Sequence, residues 1–191
     1  MLAKLSQRIY ALTKGWLIPV VLVLLVGFIT LTLPLLQAAS GDVEGLDVRF
    51  YYPPEEAFAA IDAYTPAGRA ALRPLYLTVD VGNPILYTGL LVLLVSWLFQ
   101  RAFAPHSAWR VLNVFPLGAA LCDLLENLSI VTMLTAYPNH PRLAAWLATL
   151  GTMGKNIFLF GSLGLILVGL GKLIINKFVP GASYPAIMDK S

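Results

Sequence analysis

Cys122-Asp123-Leu124-Leu125-Glu126-Asn127 places two carboxylates and an amide inside a run that is otherwise apolar from about Val111 to Met133. A run of that length crosses a bilayer as a helix, for which ~20 predominantly apolar residues suffice. On a helix Asp123, Glu126 and Asn127 stand at i, i+3 and i+4, so all three project from one face. A charge near the centre of a bilayer costs at least ~2.5 kcal/mol on insertion scales. The face is therefore expected to turn away from lipid, toward polar groups on other helices.

The rest of the chain has the composition such a site requires. Of its 191 residues 58% are hydrophobic and only 12% are charged, well away from the balance of a soluble domain. Four stretches pass the length test for a span: 16–36, 75–99, 111–137 and 143–175. The net charge of +3 comes from residues at span ends, without the basic stripe and interleaved aromatics of a nucleic-acid surface. Lipid headgroups are the expected partners of these residues, and nucleic acid is not. A single cysteine, Cys122, excludes an internal disulfide and a CxxC motif.

Lys4, Arg8 and Lys14 precede the first span, Arg101 and Arg110 sit in the hairpin 100–110, and Lys172, Lys177 and Lys190 follow the fourth. The positive-inside rule then puts both termini in the cytoplasm of a multi-pass cell-membrane protein, a bacterial inner membrane in this reading. Arg49, Arg69, Arg73 and Arg142 fall on the opposite side and dilute the bias. The amino-terminal stretch also has the pattern of a secretory signal ending near Ala38-Ala39-Ser40. Its apolar run is long for one, and a retained first span is expected. Trp16, Trp97 and Trp109 suit headgroup-level anchors.

The polar region 37–74 is expected to form a small extracytoplasmic cap. Asp47 to Tyr52 alternates like a short strand. Pro53-Pro54-Glu55-Glu56 marks a helix start running to about Tyr64, and Thr65-Pro66 marks a second, with Thr65 as N-cap, running through Arg73. The cap lacks the apolar content for a core of its own. In span two Pro84 leaves the carbonyl of Asp80 without its helical donor, and Asp80, Asn83 and Tyr87 share a face. Pro116 is expected to do the same to Leu112 in span three. Span four is long and rich in glycine, which favours close helix packing, and Lys155 and Asn156 interrupt it. The tail after Pro180 is expected to be unstructured.

At ~1.5 Å rise per residue, Asp80, Asp123, Glu126 and Lys155 fall at overlapping depths on three spans. Three carboxylates against one lysine leave two formal negative charges, which a low-dielectric interior balances with protons or another cation. Arg69 and Arg73, in the helix leading to span two, are candidates to cap the site. A metal is the other option, with oxygen ligands pointing to calcium or magnesium rather than zinc. No cofactor motif is present: HExxH, GxSxG and a Walker loop are all absent, and His106 and His140 fall in loops on opposite sides. Ser96, Ser129 and Ser162, isolated in apolar helix, are expected to bond back to their own helices.

Several of these residues form a series: Gly15-Trp16, Leu33-Pro34 with Gln37-Ala38-Ala39, Phe50-Tyr51-Tyr52-Pro53, Ala63-Tyr64 with Gly68-Arg69, and Asp80 with Pro84 and Tyr87. Ser96-Trp97-Leu98-Phe99, Leu112-Asn113 with Pro116, Asp123 with Glu126-Asn127, Tyr137-Pro138, and Thr152 with Lys155 continue it. Across most of the chain the series resembles an uncharacterised group of bacterial four-span integral membrane proteins. The resemblance implies four spans and the same polar positions, with no activity attached. It also implies a tryptophan after the lysine of span four, where this chain has Asn156.

The fold expected is an all-α, four-helix transmembrane bundle with a strand-and-helix cap between helices one and two. Its cluster of Asp80, Asn83, Tyr87, Asp123, Glu126, Asn127 and Lys155, with Arg69 and Arg73, is expected to bind a proton, a cation or a small polar ligand, or to act as a structural network. Two further classes stay open. One is a lipid-directed enzyme using Asp123 and Glu126 as acid and base; the other is an accessory subunit that meets a membrane partner through the glycine-rich fourth span.

Overall fold

The computed structural model describes residues 1–41, 43–46 and 49–178. Seven α-helices follow one another: α1 (Leu2–Leu12), α2 (Leu17–Ser40), α3 (Pro54–Ala63), α4 (Pro66–Leu77), α5 (Val79–Ala102), α6 (Leu117–Ala136) and α7 (Arg142–Phe178), with a 3₁₀ segment Ala108–Val114 before α6. Four helical stretches are long and apolar enough to cross a membrane: Leu17–Ser40, Pro66–Ala102, Ala108–Ala136 and Arg142–Phe178. Among the described residues the regular elements are all helices, with no strand. Residues 49–52 of the expected strand are irregular, and Asp47 and Val48 lie outside the described residues, as does the tail beyond Phe178.

The central unit is a three-helix layer. α6 and α7 lie antiparallel in the most extensive contact of the molecule, α5 packs on both, and α2 packs on α5 and α4. Glycine sets the α6–α7 spacing. A Cβ built on Gly151 would stand 2.8 Å from the carbonyl oxygen of Cys122 and 2.8 Å from the amide nitrogen of Glu126, so only a residue without a side chain lets the two backbones come this near. Cys122 packs its sulfur against Gly154 in the same seam. No residue of α2 is buried, consistent with a helix whose outer surface faces lipid.

The second helix pair is integrated with the ends of α6 and α7. Leu46, Tyr52, Phe58, Ile61, Tyr64, Leu72 and Tyr76 are buried together with Ile130, Met133 and Leu134 of α6 and Ala144, Ala145 and Ala148 of α7. Phe58 and Ile61 of α3 thus use a core shared with the spans. Thr65 caps α4 as its sequence requires, its hydroxyl accepting from the Gly68 amide at 3.0 Å. α4 runs past Pro74 to Leu77, and the break from α5 falls at Thr78 (φ −122°, ψ −71°). Gly41, at φ +63°, ends α2 and turns the chain back toward the bundle.

At the opposite end the residues before the first span form a separate amphipathic helix, α1. Tyr10 Oη donates to the Arg110 carbonyl at 2.6 Å, Asn113 Nδ2 to the Ser6 carbonyl at 3.3 Å, and Gln100 Nε2 to the Tyr10 carbonyl at 3.0 Å. Pro116 does not kink a continuous span, because α6 begins just after it. The Leu112 carbonyl it was expected to orphan accepts from the Phe115 amide at 3.0 Å. A smaller core of Val95, Leu98 and Phe99 with Leu165, Ile166 and Leu173 closes this end.

Candidate functional site

Glu126 is the anchor. It has 0% exposure, and its two oxygens face α7: Oε2 pairs with Lys155 Nζ at 2.6 Å and Oε1 lies 2.8 Å from Thr152 Oγ1. The i, i+3 arithmetic explains the pairing, since Thr152 and Lys155 stand one turn apart on α7 and together meet one carboxylate from α6. The same Thr152 oxygen is 3.2 Å from Tyr52 Oη and 3.0 Å from the Ala148 carbonyl. A hydroxyl has one proton to donate. The arrangement is satisfied when Tyr52 Oη donates to Thr152 and Thr152 donates to Glu126.

Beside this pair lies a cavity of about 290 Å³ lined by Asp80, Asn83 and Tyr87 of α5, Asp123 of α6, and Lys155, Asn156 and Leu159 of α7. Asp80, Asp123 and Lys155 are 7%, 5% and 7% exposed. Tyr87 Oη donates to Asp123 Oδ2 at 2.7 Å, tying α5 to α6 across the cavity. Lys155 belongs to both parts, with its ammonium on Glu126 and its side chain on the cavity wall. Helices from three parts of the chain thus bring Asp80, Asn83, Tyr87, Asp123 and Lys155 around one space, and Glu126 adjoins it.

The remaining expected members stand elsewhere. Asn127 is buried on the same face of α6, but among the described residues its amide has no hydrogen-bond partner. Arg69 does not cap the acids. Its guanidinium binds the carbonyls of Ile61, Asp62 and Tyr64, where α3 ends, and stacks 3.7 Å above the Tyr137 ring. A cation at a helix C-terminus satisfies carbonyls that lack an intrahelical donor. Arg73 donates to the Leu134 carbonyl at 2.6 Å near the end of α6. Both arginines fasten the α3–α4 pair to the spans.

The three carboxylates do not converge on a point. Among the described residues no group of three Asp, Glu, His or Cys side chains is placed to hold a metal ion, so a calcium or magnesium site built from all three acids is not what the geometry offers. Ser129 and Ser162 bond back to the carbonyls of Leu125 and Phe158 at 2.7 and 2.6 Å, as expected. Ser96 differs, accepting from Asn113 Nδ2 at 3.1 Å.

Two contributors have no signal in the span pattern. Tyr52 sits in an irregular segment yet is fully buried, its carbonyl accepting from Thr149 Oγ1 at 2.7 Å. The Arg49 carbonyl lies 3.4 Å from Asn156 Nδ2, so residues 49–52 run antiparallel to α7 with Arg49 at the end nearer the cavity. Asn156 therefore lines the site and holds this segment. Comparison of the chain with protein families, curated proteins and solved structures finds no match in any of the three.

Proposed function

We propose that this is a multi-pass membrane protein that binds a small cation in the cavity between α5, α6 and α7. One observation carries the reading: Asp80, Asp123 and Tyr87 share the wall of a single cavity with Lys155, whose ammonium already meets Glu126 at 2.6 Å. By formal count the site carries three carboxylates, Asp80, Asp123 and Glu126, against the one ammonium of Lys155, and a negative excess favours a positive occupant. The volume of about 290 Å³ is near the ~300 Å³ lower bound of small-ligand pockets. It suits a partly hydrated monovalent ion or a small organic ammonium better than a bare divalent ion.

The Tyr52–Thr152–Glu126–Lys155 chain supports a structural role for its half of the site, holding α6, α7 and the 49–52 segment in register. An acid–base reading for Asp123 and Glu126 has less support, because Glu126 is sealed against α7 and does not line the cavity. We further propose that the α1 end is cytoplasmic. Lys4, Arg8, Lys14, Arg101, Arg110, Lys172 and Lys177 gather there with no acid among residues 1–41, 97–116 and 170–178. An impermeant thiol reagent on intact cells should then label a cysteine at Asp62 and spare one at Ser107.

The cation test uses the purified protein in lipid nanodiscs, titrated with sodium, potassium, magnesium and a small primary amine while thermal unfolding is followed. A ligand at a hundredfold its Kd adds ~2.7 kcal/mol to the stability of the folded state. One monovalent species is expected to raise the Tm saturably, and D80N or D123N to weaken its binding at least tenfold. No saturable shift from any of the four, or unchanged binding by both variants, would refute the proposal.

A further inference from the structure

We infer that the α1 end carries a specific seat for the phosphate of an anionic phospholipid, between α1 and the loop that leads into the 3₁₀ segment. A pocket of about 390 Å³ opens there, lined by residues that include Ser6, Gln7 and Tyr10 of α1 and His106, Ser107 and Arg110. It is independent of the cavity between α5, α6 and α7.

Three observations point to the ligand. The first is the state of Arg110. Its guanidinium carbon lies 4.6 Å from the centre of the Tyr10 ring, no carboxylate pairs with it among the described residues, and its Nε is buried without a hydrogen-bond partner. A planar fork of five donors held against an aromatic face, with no counter-charge, is the group best matched to a phosphate oxygen pair. The second is position. α1 exposes Leu2, Leu5 and Leu12, Lys4 and Arg8 share the helix, and Trp16 and Trp109 are exposed beside it. A helix of this kind lies in the headgroup layer with its apolar residues in the acyl boundary. The pocket wall is thus placed at the depth of lipid phosphates.

The third is charge. The described residues at this end include seven lysines and arginines and no acid, and each such residue near a membrane surface attracts anionic lipid. A net-negative lipid is therefore favoured over a zwitterionic one. The backbone that shapes the pocket is held without the Arg110 side chain: its carbonyl accepts from Tyr10 Oη at 2.6 Å and from Ser6 Oγ at 3.3 Å. Burial raises the pKa of the Tyr10 phenol above its ordinary value, against the lowering effect of Arg110, so the phenol remains a donor. Replacing the guanidinium should leave the fold in place.

The test is native mass spectrometry of the protein released from mild detergent after equilibration with equimolar phosphatidylglycerol and phosphatidylcholine. Wild-type protein should retain one phosphatidylglycerol in preference to phosphatidylcholine. Arg110→Gln should reduce that retention about tenfold or more, the scale of a lost charge-assisted bidentate contact. Ala3 also lines the pocket, and Ala3→Phe, which fills it without altering charge, should have the same effect. Lys177→Gln, at the same end but outside the pocket, should not. Equal retention of the two lipids, equal retention by wild type and both pocket variants, or a loss in Lys177→Gln matching that in Arg110→Gln would overturn the proposal. Displacement of the lipid by millimolar inorganic phosphate would do the same, by assigning the seat to the free anion.

Discussion

Lys155→Met removes the ammonium that meets Glu126 at 2.6 Å while keeping most of the side-chain volume. The carboxylate left behind has 0% exposure and keeps one short contact, to Thr152 Oγ1 at 2.8 Å. Breaking one partner of a buried pair costs about 3–5 kcal/mol, because the other charge stays without compensation. An ordinary intramembrane hydrogen bond averages only ~0.6 kcal/mol, so the two outcomes are well separated. Glu126→Gln should cost less than Lys155→Met, since Lys155 still shares its cavity wall with Asp80 and Asp123. The double variant Glu126→Leu with Lys155→Met should recover at least half of the loss, as apolar replacement of both partners removes the stranded charge. Reversible unfolding by SDS titration in bicelles, followed by far-UV circular dichroism, measures all three. A cost below ~1 kcal/mol for Lys155→Met, or a double variant no more stable than that single one, would refute the paired-charge account.

The seam and the caps make further predictions. Gly151→Ala puts a methyl 2.8 Å from two α6 backbone atoms and should cost about 1–3 kcal/mol, the range of overpacking; Gly164→Ala, with open space around its Cβ, should be nearly neutral in the same titration. Tyr87→Phe deletes the 2.7 Å bond to Asp123 and should cost ~0.6–1.7 kcal/mol, the range measured between membrane helices, while changing the affinity for the cavity cation in the nanodisc assay. Thr65→Ala removes the acceptor of the Gly68 amide and should lose about 1 kcal/mol, with Thr65→Asp retaining most of it.

Much of this arrangement is written locally in the chain. Four apolar runs give four helices capable of spanning, and the i, i+3, i+4 spacing in α6 correctly puts Asp123 and Glu126 on its buried side. The rise per residue brings Lys155 to the depth of Glu126. Proline and threonine chemistry marks the starts of α3 and α4. Other features depend on what lies across a gap in sequence. Tyr52 meets Thr152 a hundred residues away, and the alternation in 47–52 does not reveal that residues 49–52 take an irregular path beside α7. Proximity in sequence points Arg69 and Arg73 at the acids, yet the unsatisfied carbonyls where α3 and α6 end compete for a guanidinium and win it. α1 has the spacing of an amphipathic helix at Leu2, Leu5, Ile9 and Leu12. Its lysine and arginine made it read as a topology signal only.

The segment that carries Arg49 and Tyr52 has a mechanical consequence. Asn156, on the α7 wall of the cavity, bonds to irregular main chain rather than to another rod, its Nδ2 lying 3.4 Å from the Arg49 carbonyl. Freeing that amide asks a few backbone dihedrals to rotate and one contact to part, without sliding α6 against the tight glycine seam of α7. Release of the Asn156 side chain from this segment is therefore a local event, separable from the packing of the spans.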